Sequence, residues 1–406
     1  MIKLSSFLEN LIYILTIILF SSFYIFDGYS TVSIILATVT AIIFIFHSII
    51  CNMKLRFHIG IFHYVIALFG AYCFLSSIWA FEADAAITKG ITILELLVCI
   101  SIIYMHYYND ETNERIISVV MWSGFIVTGY AYYCYGVSFI FNALTKGIRL
   151  ENSFANVNTF GMATAMACII LVYRLLITDY DKWYLIIVMV PCIALIAASG
   201  SRKAILEVIA GIVLVFVIKY SNENIIKTVL MVFLIGLVAY LVIKNLMTMP
   251  MFAQINRRLE GMLNGIVGAG TVDSSTFLRM RFKQLGLEQF YKTPVFGCGI
   301  ANSGIILVNN GYPATYLHDN FVELLACGGI TGFCIYYEIY FWALKGIWQR
   351  RNKTNDKYWK LCILLMVLTL IMDYGRVSYY SKSTYFIFAV FYLQIEKMKR
   401  GIESGV

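Results

Sequence analysis

Apolar runs long enough to cross a bilayer follow one another almost without pause through this chain, and that leaves few folds open to it. A membrane-spanning helix needs roughly 20 mostly apolar residues. Runs of about that kind occur at 7–26, 31–50, 60–79, 87–105, 116–141, 157–177, 183–199, 203–218, 225–243, 319–344, 359–374 and 383–396. In lipid every backbone polar group must be satisfied inside its own element. The expected fold is therefore all-α: a polytopic membrane protein of about 12 transmembrane helices, forming a single integral membrane domain over residues 1–406. Composition agrees, since 13% of the residues are charged and 60% hydrophobic, where a soluble domain carries about 25% charged residues.

Residues 1–26 begin with a basic residue and an apolar run, in the manner of a signal peptide. No small-residue cleavage site follows Phe26 and a second run opens at Thr31, so a retained first span is expected. The 10 cysteines lie mostly inside apolar runs with no CxxC pair, and read as small core residues rather than disulfides or metal ligands. The net charge of +8 is spread over short loops, a pattern of membrane topology rather than of nucleic-acid binding.

With the N-terminus inside, 17 of the 31 basic residues fall in cytoplasmic segments. Of the 14 outside, seven sit in the long loop 244–318 between the ninth and tenth spans, which the charge rule discounts. Both termini are thus expected in the cytoplasm and the long loop outside, in a bacterial cytoplasmic membrane. Within that loop Leu278, Phe282 and Leu285 recur at helical spacing, predicting an amphipathic helix on the membrane surface. Thr293 and Pro294 end it, and Gly297 and Gly299 permit a tight turn back toward the membrane.

In so greasy a chain, the few polar residues gathered on one side are where chemistry can occur. Arg202 and Lys203 stand in SGSRKAIL, a tight outer hairpin in which Ser199 to Ser201 can cap the following helix. A helix start beside a guanidinium suits an anion; the competing structural reading is an interfacial anchor. His318 stands at the mouth of the tenth span, followed by Asp319 and Asn320. With an unperturbed pKa of about 6.5 its imidazole can take a proton at neutral pH, and the adjacent carboxylate can orient it. The competing reading is an ordinary hydrogen-bonded interfacial histidine. Arg279 and Arg281 suit an anionic substrate or lipid headgroups equally well. Glu323 can face the same cavity as His318, while Glu207 is most simply paired with Lys203 one turn away. Tyr291, Tyr312 and Tyr316 are candidates for stacking on sugar. The five histidines are scattered, so neither a metal nor another cofactor is expected.

Four stretches in this order resemble the O-antigen ligase and O-antigen polymerase superfamily of bacterial envelope glycosyltransferases. ENSFANVNTFGMA, with Asn156, is similar to the family's asparagine-rich helix entry, although Val157 replaces its proline. SGSRKAIL fits an arginine followed by a leucine four residues on, Arg279 precedes TPVFGCG, and LHDNFVELLACGGITG fits a histidine, asparagine and glycine pattern. The resemblance implies metal-independent, inverting glycosyl transfer on the outer side of the membrane from an undecaprenyl-diphosphate-linked glycan donor. It assigns Arg202 and Arg279 to the diphosphate and His318 to the acceptor hydroxyl, with Lys203, Arg281, Asn320, Glu323 and Asn156 as substrate-binding candidates.

The leading expectation is a polymerase joining lipid-linked repeat units into O-antigen or capsular polysaccharide. Its partners would be the donor and acceptor glycans and membrane lipids, with a flippase and a chain-length regulator as further candidates and no nucleic acid. A ligase passing finished glycan to lipid A core or protein shares the donor chemistry. A transporter or flippase of lipid-linked sugars would show inverted repeats and mid-membrane charges, which are not visible. A metal-dependent glycosyltransferase would rest on Glu82 and Asp84, the one acidic pair in an early outer loop.

Overall fold

A computed structural model describes residues 2–27, 30–50, 58–108, 113–146, 148–150, 155–220 and 274–403. The expected ninth span, 225–243, and the first part of the long loop lie outside these residues. Helices α1 (Ile2–Ile25), α2 (Ser30–Ile50), α3 (Ile61–Ser76), α4 (Ala83–Tyr108), α5 (Glu114–Tyr135), α6 (Val137–Lys146) and α7 (Val157–Ile177) are followed by α8 (Met189–Ser199), α9 (Arg202–Tyr220) and α10 (Ser274–Lys292). The last four are α11 (Ser303–Val308), α12 (Asn320–Arg350), α13 (Tyr358–Asp373) and α14 (Lys382–Glu403). No strand occurs among the described residues. Six of these helices are long and apolar enough to cross a membrane: α1, α2, α4, α5, α7 and α12. The chain is a multi-pass membrane protein. At the other described run positions α3, α8 and α13 are shorter, and α9 and α14 carry more charge.

Two compact units interleave along the sequence, one of residues 1–51 and 114–271, the other of 52–113 and 272–406. In the first, α7 is the central helix, packed on α5, α8 and α9. Small side chains make this possible, because without a hydrophobic drive between helices in lipid, close packing carries association. Gly124 of α5 lies against Ala163 and Ala167 of α7, and Gly211 of α9 against Ile169.

Two expected spans are interrupted in this unit. The run 116–141 is not one helix: Gly136, at φ +81°, ends α5 and starts α6. The run 183–199 opens as a 3-10 turn, Trp183–Val188, before α8. Pro191 explains this, since its ring excludes the carbonyl four residues back and confines it to a helix's first turn. Arg174 is buried in the last turn of α7. Its guanidinium donates to Ser118 Oγ at 2.6 Å, pairs with Glu114 and lies over the Tyr180 ring, because a buried charge is tolerated only when paired.

In the second unit α3 and α4 form a hairpin, α12 packs on α3, α10 on α12, and α14 on α4 and α12. Helix α12 is not the continuous span that the sequence suggests. Gly329 has φ +60° and ψ −169°, a conformation open essentially to glycine alone, and it breaks the helix. The turn Thr293–Gly299 fills the break. Cys298 N donates to Ala326 O (3.1 Å) and Gly299 N to Cys327 O (2.9 Å), while Ile330 N donates to Pro294 O (2.8 Å) and Thr331 N to Val295 O (3.1 Å). Tyr72 of α3 donates to Gly328 O at 2.6 Å. The backbone groups freed by the break are thereby satisfied by protein, the condition for a broken helix at membrane depth.

Helix α10 forms as expected; its buried residues are Phe282, Leu285, Gly286 and Gln289, and it packs on α11 and α12. Leu278 is 40% exposed. Gly286 sets the docking: a Cβ there would stand 2.6 Å from both Leu317 and Val322, so only glycine lets α10 approach this closely. Burying Phe282 and Leu285 away from water contributes about 1.5–3 kcal/mol each to this docking.

Candidate active site

His318 is presented by a loop gripped from three directions. Its backbone lies at φ +61°, a left-handed conformation that is uncommon for a residue with a side chain, although histidine is among those enriched there. The imidazole is half-buried between two rings: Phe282 stacks parallel to it at 6.2 Å between centroids, and Tyr316 tilts against it at 4.3 Å. On the preceding side Leu317 N donates to Glu323 Oε2 at 2.8 Å, and Ser303 Oγ donates to Glu323 Oε1 at 2.6 Å. On the following side Asp319 caps α12 by accepting from Val322 N at 3.1 Å. Lys283 Nζ completes the grip, 2.7 Å from Asp319 Oδ2.

Three residues singled out from the sequence have partners within the protein. Asp319, expected to orient the imidazole, is committed to the helix cap and to Lys283. Glu323 is fully buried and both its oxygens hold protein groups, so it braces the histidine loop. Asn320 is also buried: its Oδ1 accepts from Ser378 N (2.8 Å) and Tyr379 N (3.0 Å), and its Nδ2 donates to the Tyr337 hydroxyl at 2.9 Å. It ties the mouth of α12 to the segment after α13.

Arg279 shares the face of α10 that meets this loop. It stands three and four residues before Phe282 and Lys283, one helical turn from the ring that stacks on His318 and the ammonium that binds Asp319. Arg281 instead pairs along the helix surface with Glu288 at 3.6 Å. Lys283 was not singled out by sequence reasoning. Its spacing from Arg279 was legible, but its partner lies 36 residues away and leaves no local pattern.

Arg202, Lys203 and Asn156 belong to the first unit. Gly200, at φ +57°, closes α8, and Ser201 Oγ accepts from Ala204 N at 3.3 Å, so Ser201 caps α9 and Arg202 and Lys203 occupy its first two positions. Asn156 caps α7 in the same way, accepting from Asn158 N at 2.9 Å. The two motifs interlock. Gly161 of α7 leaves room for Ser199 and Ala204, and Arg149 bridges them, with Nε donating to Ser199 O at 3.0 Å and Nη2 to Asn158 Oδ1 at 3.4 Å. Arg149 is thus a second basic residue at the hairpin that carries Arg202. Its signal in the sequence was only its place just before ENSFANVN.

Among the described residues no three His, Cys, Asp or Glu side chains gather as metal ligands. In chemical terms the second unit offers an imidazole suited to taking a proton, with a guanidinium suited to a developing anion on the helix whose Phe282 stacks on that imidazole. A family model described as O-Antigen ligase matches residues 184–337, which include Arg202, Arg279 and His318. No curated protein matches the chain.

Proposed function

We propose that the chain polymerises undecaprenyl-diphosphate-linked repeat units into O-antigen or capsular polysaccharide on the outer side of the cytoplasmic membrane, a reading supported by the match of residues 184–337 to the O-Antigen ligase family model. His318 takes the proton of an acceptor sugar hydroxyl as that oxygen attacks the anomeric carbon of the donor. The bond from that carbon to the lipid diphosphate breaks with inversion, and the diphosphate departs as an anion. A diphosphate needs no proton to leave, so charge stabilisation is the main demand, and that role falls to Arg279 and Arg202. Asn156, Lys203 and Arg281 are assigned to substrate contact around this step. Glu323 and Asn320 act through the positions of their neighbours.

The observation that best supports this reading is the hold on His318, a half-buried imidazole kept in a left-handed backbone by Glu323 on one side and the Lys283–Asp319 pair on the other. Strain of this kind, of order 1–3 kcal/mol, persists where surroundings impose it and clusters at functional sites. A ligase acting on lipid A core or protein shares the same donor chemistry. Deleting the gene and resolving the surface glycan on a gel separates the two: single repeats are expected for a polymerase, whereas full-length polymer retained on its lipid carrier would overturn that assignment in favour of a ligase.

A further inference from the structure

The segment after α13, residues 374–381, lies beyond the family match and carries no motif, yet the structure holds it firmly. A tyrosine stands near each end, and each ring is covered by a lysine from a different helix. Lys283 Nζ lies 3.3 Å from the centroid of Tyr374 and donates to the Tyr374 carbonyl at 2.8 Å. Lys89 Nζ lies 3.7 Å from the centroid of Tyr380. Between them Asn320 Oδ1 holds the amides of Ser378 and Tyr379. The same Lys283 binds Asp319, next to His318, so one ammonium joins the histidine loop to the Tyr374 ring.

Tyr374 remains 65% exposed although a lysine lies on its ring. A ring fixed in orientation and open to solvent loses little conformational freedom when a ligand stacks on it. The neighbouring basic groups have partners: Lys283 with Asp319 and the Tyr374 carbonyl, Arg376 Nη2 with Thr384 Oγ1 at 2.9 Å, and Lys89 within electrostatic reach of Glu323. This surface therefore offers an aromatic face rather than an anion trap, and the apolar C–H face of a pyranose matches it.

We propose that Tyr374, assisted by Tyr380, is a carbohydrate-stacking subsite that binds a sugar of the lipid-linked oligosaccharide beside the His318 loop. The proposal rests on the glycosyl-transfer reading above. It is tested by the binding of the lipid-free repeat-unit oligosaccharide, released by mild acid from the producing cells, to the full chain in nanodiscs. Tyr374→Ala and Tyr374→Leu are expected to weaken binding ~3- to 10-fold, the range for one aromatic contact, while Tyr374→Phe and Tyr374→Trp stay within about twofold of wild type. Leucine preserves bulk beneath Lys283, so it serves if the alanine variant does not fold. Wild-type binding in both ring-less variants, or equal weakening in all four, overturns the subsite. Lengthening of lipid-linked units, followed in the same preparations, keeps the two readings apart. Oligosaccharide binding without lengthening sinks the transfer reading alone, and lengthening with unchanged binding in the ring-less variants sinks the subsite alone.

Discussion

At Arg202 the sequence and the structure converge on one local device. The residue opens α9 directly after the Ser201 cap, where the helix dipole already favours an anion. If it binds a diphosphate, its value is the planar fork of donors rather than charge alone, and lysine cannot reproduce that fork. Arg202→Lys is accordingly expected to lower kcat/KM by about tenfold or more, equivalent to ~1.4 kcal/mol or more of transition-state binding. Activity within twofold would reduce Arg202 to an interfacial anchor. Arg149, on the same hairpin, spends its Nε on Ser199 O. The residues proposed from the sequence, His318, Arg279 and Arg202, stand in motifs with characteristic neighbours. Lys283, Arg149 and Tyr374 were not singled out, because their partners lie far along the chain, Ser199 for Arg149, Asp319 for Lys283 and Lys283 for Tyr374.

Among the elements, α12 carries most of the design. The apolar run that suggested one span was legible, and so was the turn at Gly297 and Gly299. That the turn fills a break inside the helix was not, because CGGITG reads equally well as a closely packed straight helix. Gly329 is the test. A side chain there would have to adopt φ +60° with ψ −169° and would run into the Val295 carbonyl. Gly329→Ala should destabilise the second unit by at least the ~1–3 kcal/mol of a strained backbone, seen as a lower unfolding temperature in detergent. An unchanged unfolding temperature would mean that the turn does not hold the break. The interruptions at Gly136 and Pro191 teach the same lesson: hydropathy locates apolar runs well, and single glycines and prolines decide where helices within them end.

For the whole molecule, the charge pattern and the contacts within each unit agree. Segments expected outside meet each other: 77–82 with 298–302, 149–158 with 198–204, and Lys283 and Asn320 with 374–381. Segments expected inside meet likewise, as in Glu9 with Arg115, and Asp356 with Gln394. The all-helical, multi-pass class was readable from hydropathy, which acts along the chain, whereas the bracing of the His318 loop depends on contacts that only folding creates. The account depends above all on His318 as the base for glycosyl transfer. Its most direct test compares wild type and His318→Ala reconstituted with lipid-linked repeat units. Wild type should build a ladder of polymer, while His318→Ala, inserted and folded to the same extent, should leave single repeats, a loss of at least ~100-fold. A normal ladder from His318→Ala would contradict the account.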